Sequence, residues 1–340
     1  MLDELLNKTH RQIFCYNKNI GHQFVPNLNA RIINENGGYY VKTNSSGFRS
    51  DCEFIKEKKE KPRILFFGDS NTAADGVSNK ERFSDLIGEH FDAEIYNYGL
   101  SGSGTDQQYL IWKNYAQNVK ADLIVLCVLV ENIERNKVSY RESINPFTKK
   151  PSFIPKPHFE YKDNELLLKN FPIPKIRDDI SSIKEDMIQR AIPKKQEFIY
   201  NLINIWRQNK IFNPIRKKFD NSLKKFRSFL ISNFYQPYPD YKKNESKGYL
   251  LMDKILDKFT DSLPSIPVII LPIPTYHYYA DGAKPIYKNF FQKFENKKKN
   301  FIVLDLLNNL KKLDFNTRQS LCFKNDKSHF SQFGHKKISG

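Results

Sequence analysis

The sequence is poor in cysteine and in glycine, and it has no long apolar run. Its four cysteines (Cys15, Cys52, Cys127 and Cys322) stand far apart with no CxxC pair among them. That excludes a disulfide framework and gives no zinc-ligand spacing. Cys127 lies inside an apolar run and reads as a buried small hydrophobe, so a reducing, cytoplasmic compartment is the simplest expectation. The longest wholly apolar stretch, Leu123–Val130, has eight residues, whereas a membrane-spanning helix needs about 20. The opening residues MLDELLNKTHRQ carry acids and no apolar h-region, which argues against a secretory signal peptide. There is no P-loop, no HExxH and no GxGxxG followed by a suitable acid. ATPase, metalloprotease and dinucleotide chemistry therefore lack support.

Aromatic residues and positive charge are abundant. The chain of 340 residues holds 27 Phe and 18 Tyr, enough for a large core, and its formal net charge is +17. Such a balance permits contact with nucleic acid, anionic lipid or acidic glycan without identifying any of them. The lysines are spread along the whole chain and read first as solvated faces. No nucleic acid is expected as a partner, and a peripheral contact with an anionic membrane is the alternative that the charge leaves open.

Texture changes sharply after Pro62. Arg63–Phe67 is a short apolar run that stops at Gly68-Asp69-Ser70, as a buried strand does before a turn. Helical patterns follow at 82–90 and 106–118, alternating with strand candidates at 93–97 and 122–130. After a long interval come a helix at 247–263 and strands at 267–271 and 301–304. Near-continuous apolar strands alternating with helices predict a five-stranded parallel sheet in a three-layer α/β/α sandwich of flavodoxin-like type. Three zones result: an N-terminal segment (1–61) packing on the core, a core of 62–133 with 247–340, and an insertion (134–246). The insertion opens with proline-punctuated extended segments. It then carries a basic amphipathic helix at about 213–232, with Phe212, Ile215, Phe219, Leu223, Phe226 and Leu230 on one face. A Phe-rich face turned to the core is the simpler reading of that helix, and a membrane-surface helix the alternative.

In open parallel sheets, ligands bind beyond the carboxyl ends of the strands. Ser70, Gly99 and Glu131-Asn132 all fall there. Ser70 follows a Gly-Asp turn, and a serine hydroxyl becomes nucleophilic when a base takes its proton. The best base is His329, three residues after Asp326, a spacing that lets the carboxylate reach the imidazole Nδ1 and fix its tautomer. Backbone N–H groups at Ser70 and Gly99, with the Asn132 amide, are candidate donors to an oxyanion. His277 falls on the same rim. The remaining histidines need no catalytic role, and His335 belongs to a final helix.

These pieces together resemble the SGNH/GDSL hydrolase superfamily. Phe67-Gly68-Asp69-Ser70 is similar to its first block, Asn97-Tyr98-Gly99 to its second and Asp326-Lys327-Ser328-His329-Phe330-Ser331 to its last, over about residues 62–132 and 266–335. Thr43–Arg49 and Gly104–Gln107 also resemble a subgroup associated with bacterial surface-polysaccharide synthesis. The resemblance implies Ser70 as nucleophile, His329 as base and Asp326 as its orienter. It implies an oxyanion hole of Ser70, Gly99 and an Asn side chain, with no cofactor and no metal. One departure stands out: where the family reads Gly-x-Asn-Asp, this chain has Leu129-Val130-Glu131-Asn132, which puts Glu131 at the donor position. Asn132, displaced by one residue, is assigned the donor role. Asp69, Arg49, Glu131 and His277 are candidates for substrate contact. The expected activity is removal of an acyl group, O-acetyl above all, from a sugar or glycoconjugate. The alternatives are an O-acyltransferase using the same triad and a non-catalytic glycan-binding protein.

Overall fold

The computed structural model describes residues 13–58, 60–144, 151–173, 229–295 and 297–340. Strands are numbered in chain order: β1 (Phe14–Asn17), β2 (Gly21–Phe24), β3 (Asn29–Ile32), β4 (Tyr39–Lys42), β5 (Arg63–Phe67), β6 (Glu94–Asn97), β7 (Leu123–Leu129), β8 (Tyr140–Ile144), β9 (Pro151–Pro155), β10 (His158–Lys162), β11 (Glu165–Lys169), β12 (Val268–Ile273) and β13 (Phe301–Val303). Five of them form one sheet in the order β13-β12-β7-β5-β6, and every pairing in it is parallel. The expected five-stranded parallel sheet is therefore present. All residues of β5 are buried, as are all of β7 after its first. That is why both read as unbroken apolar runs rather than alternating ones.

The helices that matter for the site are α1 (Ser70–Ala73), α2 (Phe83–His90), α3 (Thr105–Ile111), α4 (Asn132–Arg135), α5 (Lys247–Asp261), α6 (Tyr276–Tyr279), α7 (Lys288–Glu295), α8 (Leu307–Lys312), α9 (Phe315–Ser320) and α10 (Gln332–Ser339). Successive residues of a strand point to opposite faces. Phe66 meets Phe83 of α2, whose ring stacks on His335 of α10, while Phe67 meets Phe259 of α5 and Trp112 just beyond α3. The sheet is thus covered on both sides, which makes three layers. His335 is fully buried, accepts the Phe83 N–H at 3.3 Å, and burial pulls its pKa down to about 3. It is a neutral core residue of the closing helix.

β5 lies between β6 and β7, so the chain reverses its direction of winding there. This reversal opens a crevice at the carboxyl ends of β5 and β7, and the segments after those two strands are the ones that carry Ser70 and Asn132.

The N-terminal segment is more structured than its polar composition suggests. It folds into two antiparallel hairpins, β1–β2 and β3–β4, and buries Ile20, Phe24, Val41 and Phe48 in the common core. In the insertion, β8–β9 and β10–β11 are further hairpins. Phe159 of β10 packs on Tyr109 of α3. The basic amphipathic helix predicted at 213–232 lies outside the described residues except for 229–232, which are helical. Among the described residues no helix is long and apolar enough to cross a membrane.

Candidate active site

The turn after β5 is shaped by Gly68: a Cβ there would lie 1.9 Å from Thr72 Oγ1, so only glycine lets α1 fold back over the strand end. Asp69 then caps α1, its Oδ1 accepting the Asn71 N–H at 3.0 Å, which satisfies one of the orphan donors of the first turn. Its other oxygen pairs with Arg135 Nη1 at 2.9 Å, and the carboxyl group is fully buried. Burial pushes the Asp69 pKa up, against the pull of Arg135. Ser70, the first residue of α1, is 4% exposed.

At the far end of the chain, His329 Nδ1 and Asp326 Oδ2 are 2.5 Å apart. Asp326 also accepts the Ser328 N–H at 2.9 Å. Burial would raise the Asp326 pKa, but its bonds to His329 and Ser328 hold it below the usual carboxylate range. On His329 the balance runs the other way. Burial disfavours the imidazolium, yet Asp326 and Asp75 together raise the pKa above its ordinary value.

The loop bearing His329 is tied to α1 by Asn71. Asn71 Nδ2 donates to the Ser328 carbonyl at 3.2 Å, and Asn71 Oδ1 accepts the Phe330 N–H at 3.3 Å. The residue after Ser70 therefore grips the chain on both sides of His329. Among the described residues no hydrogen bond joins Ser70 to His329 directly. The His329 Nε2 instead faces Asp75 Oδ2 at 4.0 Å, while Asp75 Oδ1 accepts the Ser101 hydroxyl at 2.6 Å. Catalytic hydrogen bonds are often open in unliganded sites. A cavity of about 390 Å³ opens beside His329, walled by Ile32, Ile33, Tyr39, Asp75, Asp326 and Phe323.

Three sequence assignments need correction. Gly99 is not available as an oxyanion donor. Its N–H is occupied by Asn97 Oδ1 at 2.8 Å, and a Cβ on it would meet Ala73 N at 2.4 Å, so it is packed beneath α1. Arg49 is not at the substrate. It is buried and donates to the carbonyls of Ala73 and Ala74 at 2.8 and 2.6 Å, to Val77 at 2.6 Å, and to Asn79 Oδ1 at 3.1 Å. It satisfies the carbonyls where α1 ends on the left-handed Ala74 (φ 65°). Asn132 offers no exposed donor, being fully buried with its amide on Thr105 Oγ1 at 3.3 Å.

Glu131 is bonded to Arg135 Nε at 3.0 Å and to the Tyr238 hydroxyl at 3.3 Å. Burial would raise its pKa, but Arg135 brings it below the ordinary value. It therefore stays a carboxylate, locked to a cation instead of facing an oxyanion. His277 sits at 3.3 Å from Asp281 and against the Tyr235 ring, within the electrostatic reach of Glu131.

The sequence reading missed Asn71, Asp75, Arg135 and Gly102. The signal for the first two was local: polar side chains one and five residues after Ser70 in an otherwise apolar, tightly packed segment. Gly102 has φ +71°, and among the described residues its N–H has no acceptor. The same is true of the Ser70 N–H. Both donors lie just after strands of the sheet, Ser70 after β5 and Gly102 after β6.

No family model matches the chain, and no curated protein matches it. Among solved structures it is similar to a member of the lipolytic protein G-D-S-L family from Veillonella parvula, with 12% identity, 82% of this chain and 93% of that one covered, and a TM-score of 0.40. It is also similar to an acetyl xylan esterase from Geobacillus stearothermophilus, with 11% identity, 84% and 94% covered, and a TM-score of 0.38. A further acetyl xylan esterase, AlAXEase, shows 14% identity, 82% and 96% covered, and a TM-score of 0.36.

Proposed function

We propose that this protein is a serine ester hydrolase of the SGNH/GDSL type, with Ser70 as nucleophile, His329 as general base and Asp326 as its orienter. The observation that carries the reading is the Asp326–His329 pair, 2.5 Å apart, in a loop clamped by Asn71, the residue next to Ser70. A carboxylate on Nδ1 leaves Nε2 as the proton acceptor, the tautomer that a base needs.

The reaction would run in two halves. Ser70 Oγ attacks the acyl carbon and its proton passes to His329 Nε2. The oxyanion is met by the Ser70 and Gly102 N–H groups. The bond from the acyl carbon to the alcohol oxygen then breaks, and the alcohol leaves with the proton from His329. Water attacks the acyl-enzyme, His329 takes its proton and returns it to Ser70, and the free acid departs. For the first transfer Nε2, which faces Asp75, must be brought to the Ser70 hydroxyl.

An acetyl ester on a sugar or glycoconjugate is the favoured substrate, from the resemblance of the chain's motifs. The test is a screen of short-chain nitrophenyl esters and acetylated sugars with wild type and Ser70→Ala, alongside labelling by a fluorophosphonate. Turnover and labelling in the wild type, both lost in Ser70→Ala, are expected. Equal labelling of the two would overturn the assignment and favour a binding protein that shares only the fold.

A further inference from the structure

Arg141, in β8, crosses over the loop that follows β6. Its guanidinium lies directly on Gly102, where a Cβ would meet Arg141 Cζ at 2.2 Å. Nη1 donates to the Ser101 carbonyl at 2.7 Å and stands 3.0 Å from the His22 ring, while the Phe14 ring lies 6.0 Å from Cζ. His22 is buried, and burial with the nearby Arg141 pulls its pKa down to about 3, so this neighbour is neutral.

What Arg141 lacks is a counter-ion. Among the described residues no carboxylate stands within ion-pair distance of it, in contrast to Arg135, which has Asp69 and Glu131. Its Nε and Nη2 have no acceptor there either. Asp75, the carboxylate that most favours its charge, has one oxygen on the Ser101 hydroxyl and the other toward His329. A part-buried guanidinium without a counter-ion is costly to keep. Its planar edge is well suited to a carboxylate or phosphate. Ser101 links it to Asp75, which in turn faces His329, and the charge of Asp69, the residue before Ser70, also acts on it.

We infer that Arg141 is a substrate-binding residue that seats an anionic group, carboxylate or phosphate, carried by the ester substrate. This rests on the esterase reading and narrows its substrate class to acidic esters.

The test compares kcat/KM on 4-nitrophenyl acetate with that on two anionic esters, mono-4-nitrophenyl succinate and 4-acetoxybenzoate, which place the carboxylate on the acyl and the alcohol side. The wild type should favour one anionic ester, and the anionic-to-neutral ratio should fall about tenfold or more in Arg141→Gln. Arg141→Lys, which keeps the charge without the fork, should retain part of the preference and controls for misfolding. An unchanged ratio overturns the proposal. A second arm needs no turnover: melting of Ser70→Ala with succinate or inorganic phosphate against chloride at matched ionic strength. A rise in Tm that disappears when Arg141→Gln is added supports the site, and the more effective anion separates carboxylate from phosphate. No rise, or an equal rise in both variants, overturns it. If the anions bind through Arg141 but no ester is turned over, the esterase reading fails and the anion site stands.

Discussion

Asn71 brackets His329: one amide donates to the carbonyl before the histidine and accepts from the N–H after it. Both ends of a side chain on α1 are thus used to fix the backbone of a loop from the other end of the chain. Replacing it by alanine leaves a donor and an acceptor without partners, each worth about 1–3 kcal/mol if buried. Asn71→Ala should lower Tm modestly, cut kcat by more than it changes KM, and raise hydrogen exchange over residues 324–331. Full protection of that loop in the variant would show that Asn71 does not hold it.

Removing the groups proposed to react should have larger effects. Ser70→Ala and His329→Ala are each expected to lower kcat by a factor on the order of 10³–10⁶ with little change in Tm. Asp326→Asn keeps the shape but loses the charge that fixes the imidazole, and should cost about 10³–10⁴. The check is kcat on the best ester from the screen. A His329→Ala enzyme with wild-type rates would remove the base from the scheme.

The pH dependence follows from the carboxylates around His329. Because Asp326 and Asp75 raise its pKa despite burial, the neutral base appears only at higher pH than for a free histidine. The acid limb of kcat/KM should therefore have its midpoint above about 6.5. Asp75→Asn removes one stabiliser of the imidazolium, so the midpoint should move down. An unmoved or rising midpoint in that variant would contradict the assignment.

Arg135 neutralises two acids at once, Asp69 and Glu131. Arg135→Gln leaves the buried Asp69 unpaired, for which about 3–5 kcal/mol of destabilisation is typical. The Asp69 pKa is already raised by burial, and losing the arginine raises it further. Below that raised pKa the group is neutral and the penalty disappears. Denaturant melts should therefore show a large difference from wild type at pH 8 that shrinks toward pH 5. A gap independent of pH would mean that the arginine acts through packing.

The sheet was legible because β5, β7 and β12 are covered on both faces and so are written as apolar blocks. The N-terminal hairpins were not: strands such as Gly21–Phe24 and Asn29–Ile32 are four residues long, polar on one side, and paired only with a neighbour. The Asp326–His329 contact could be read from spacing, since one short loop supplies both residues. Gly99 was misassigned because nothing in the local sequence reveals that the Asn97 side chain will fold over its N–H. Arg49 was misplaced for a related reason. The carbonyls it satisfies belong to the end of α1, 24 and 25 residues away in the chain, and converge only once α1 turns into its left-handed residue.

The bond from Asn71 to Phe330 spans 259 positions of sequence. Closing so long a loop carries an entropic cost before any contact rewards it, and such remote pairings form late. During synthesis, the chain as far as Phe330 must clear the ribosome before the clamp can close. A nascent chain would thus expose Ser70 well before His329, and the proposed nucleophile would meet its proposed base only once residue 330 had emerged.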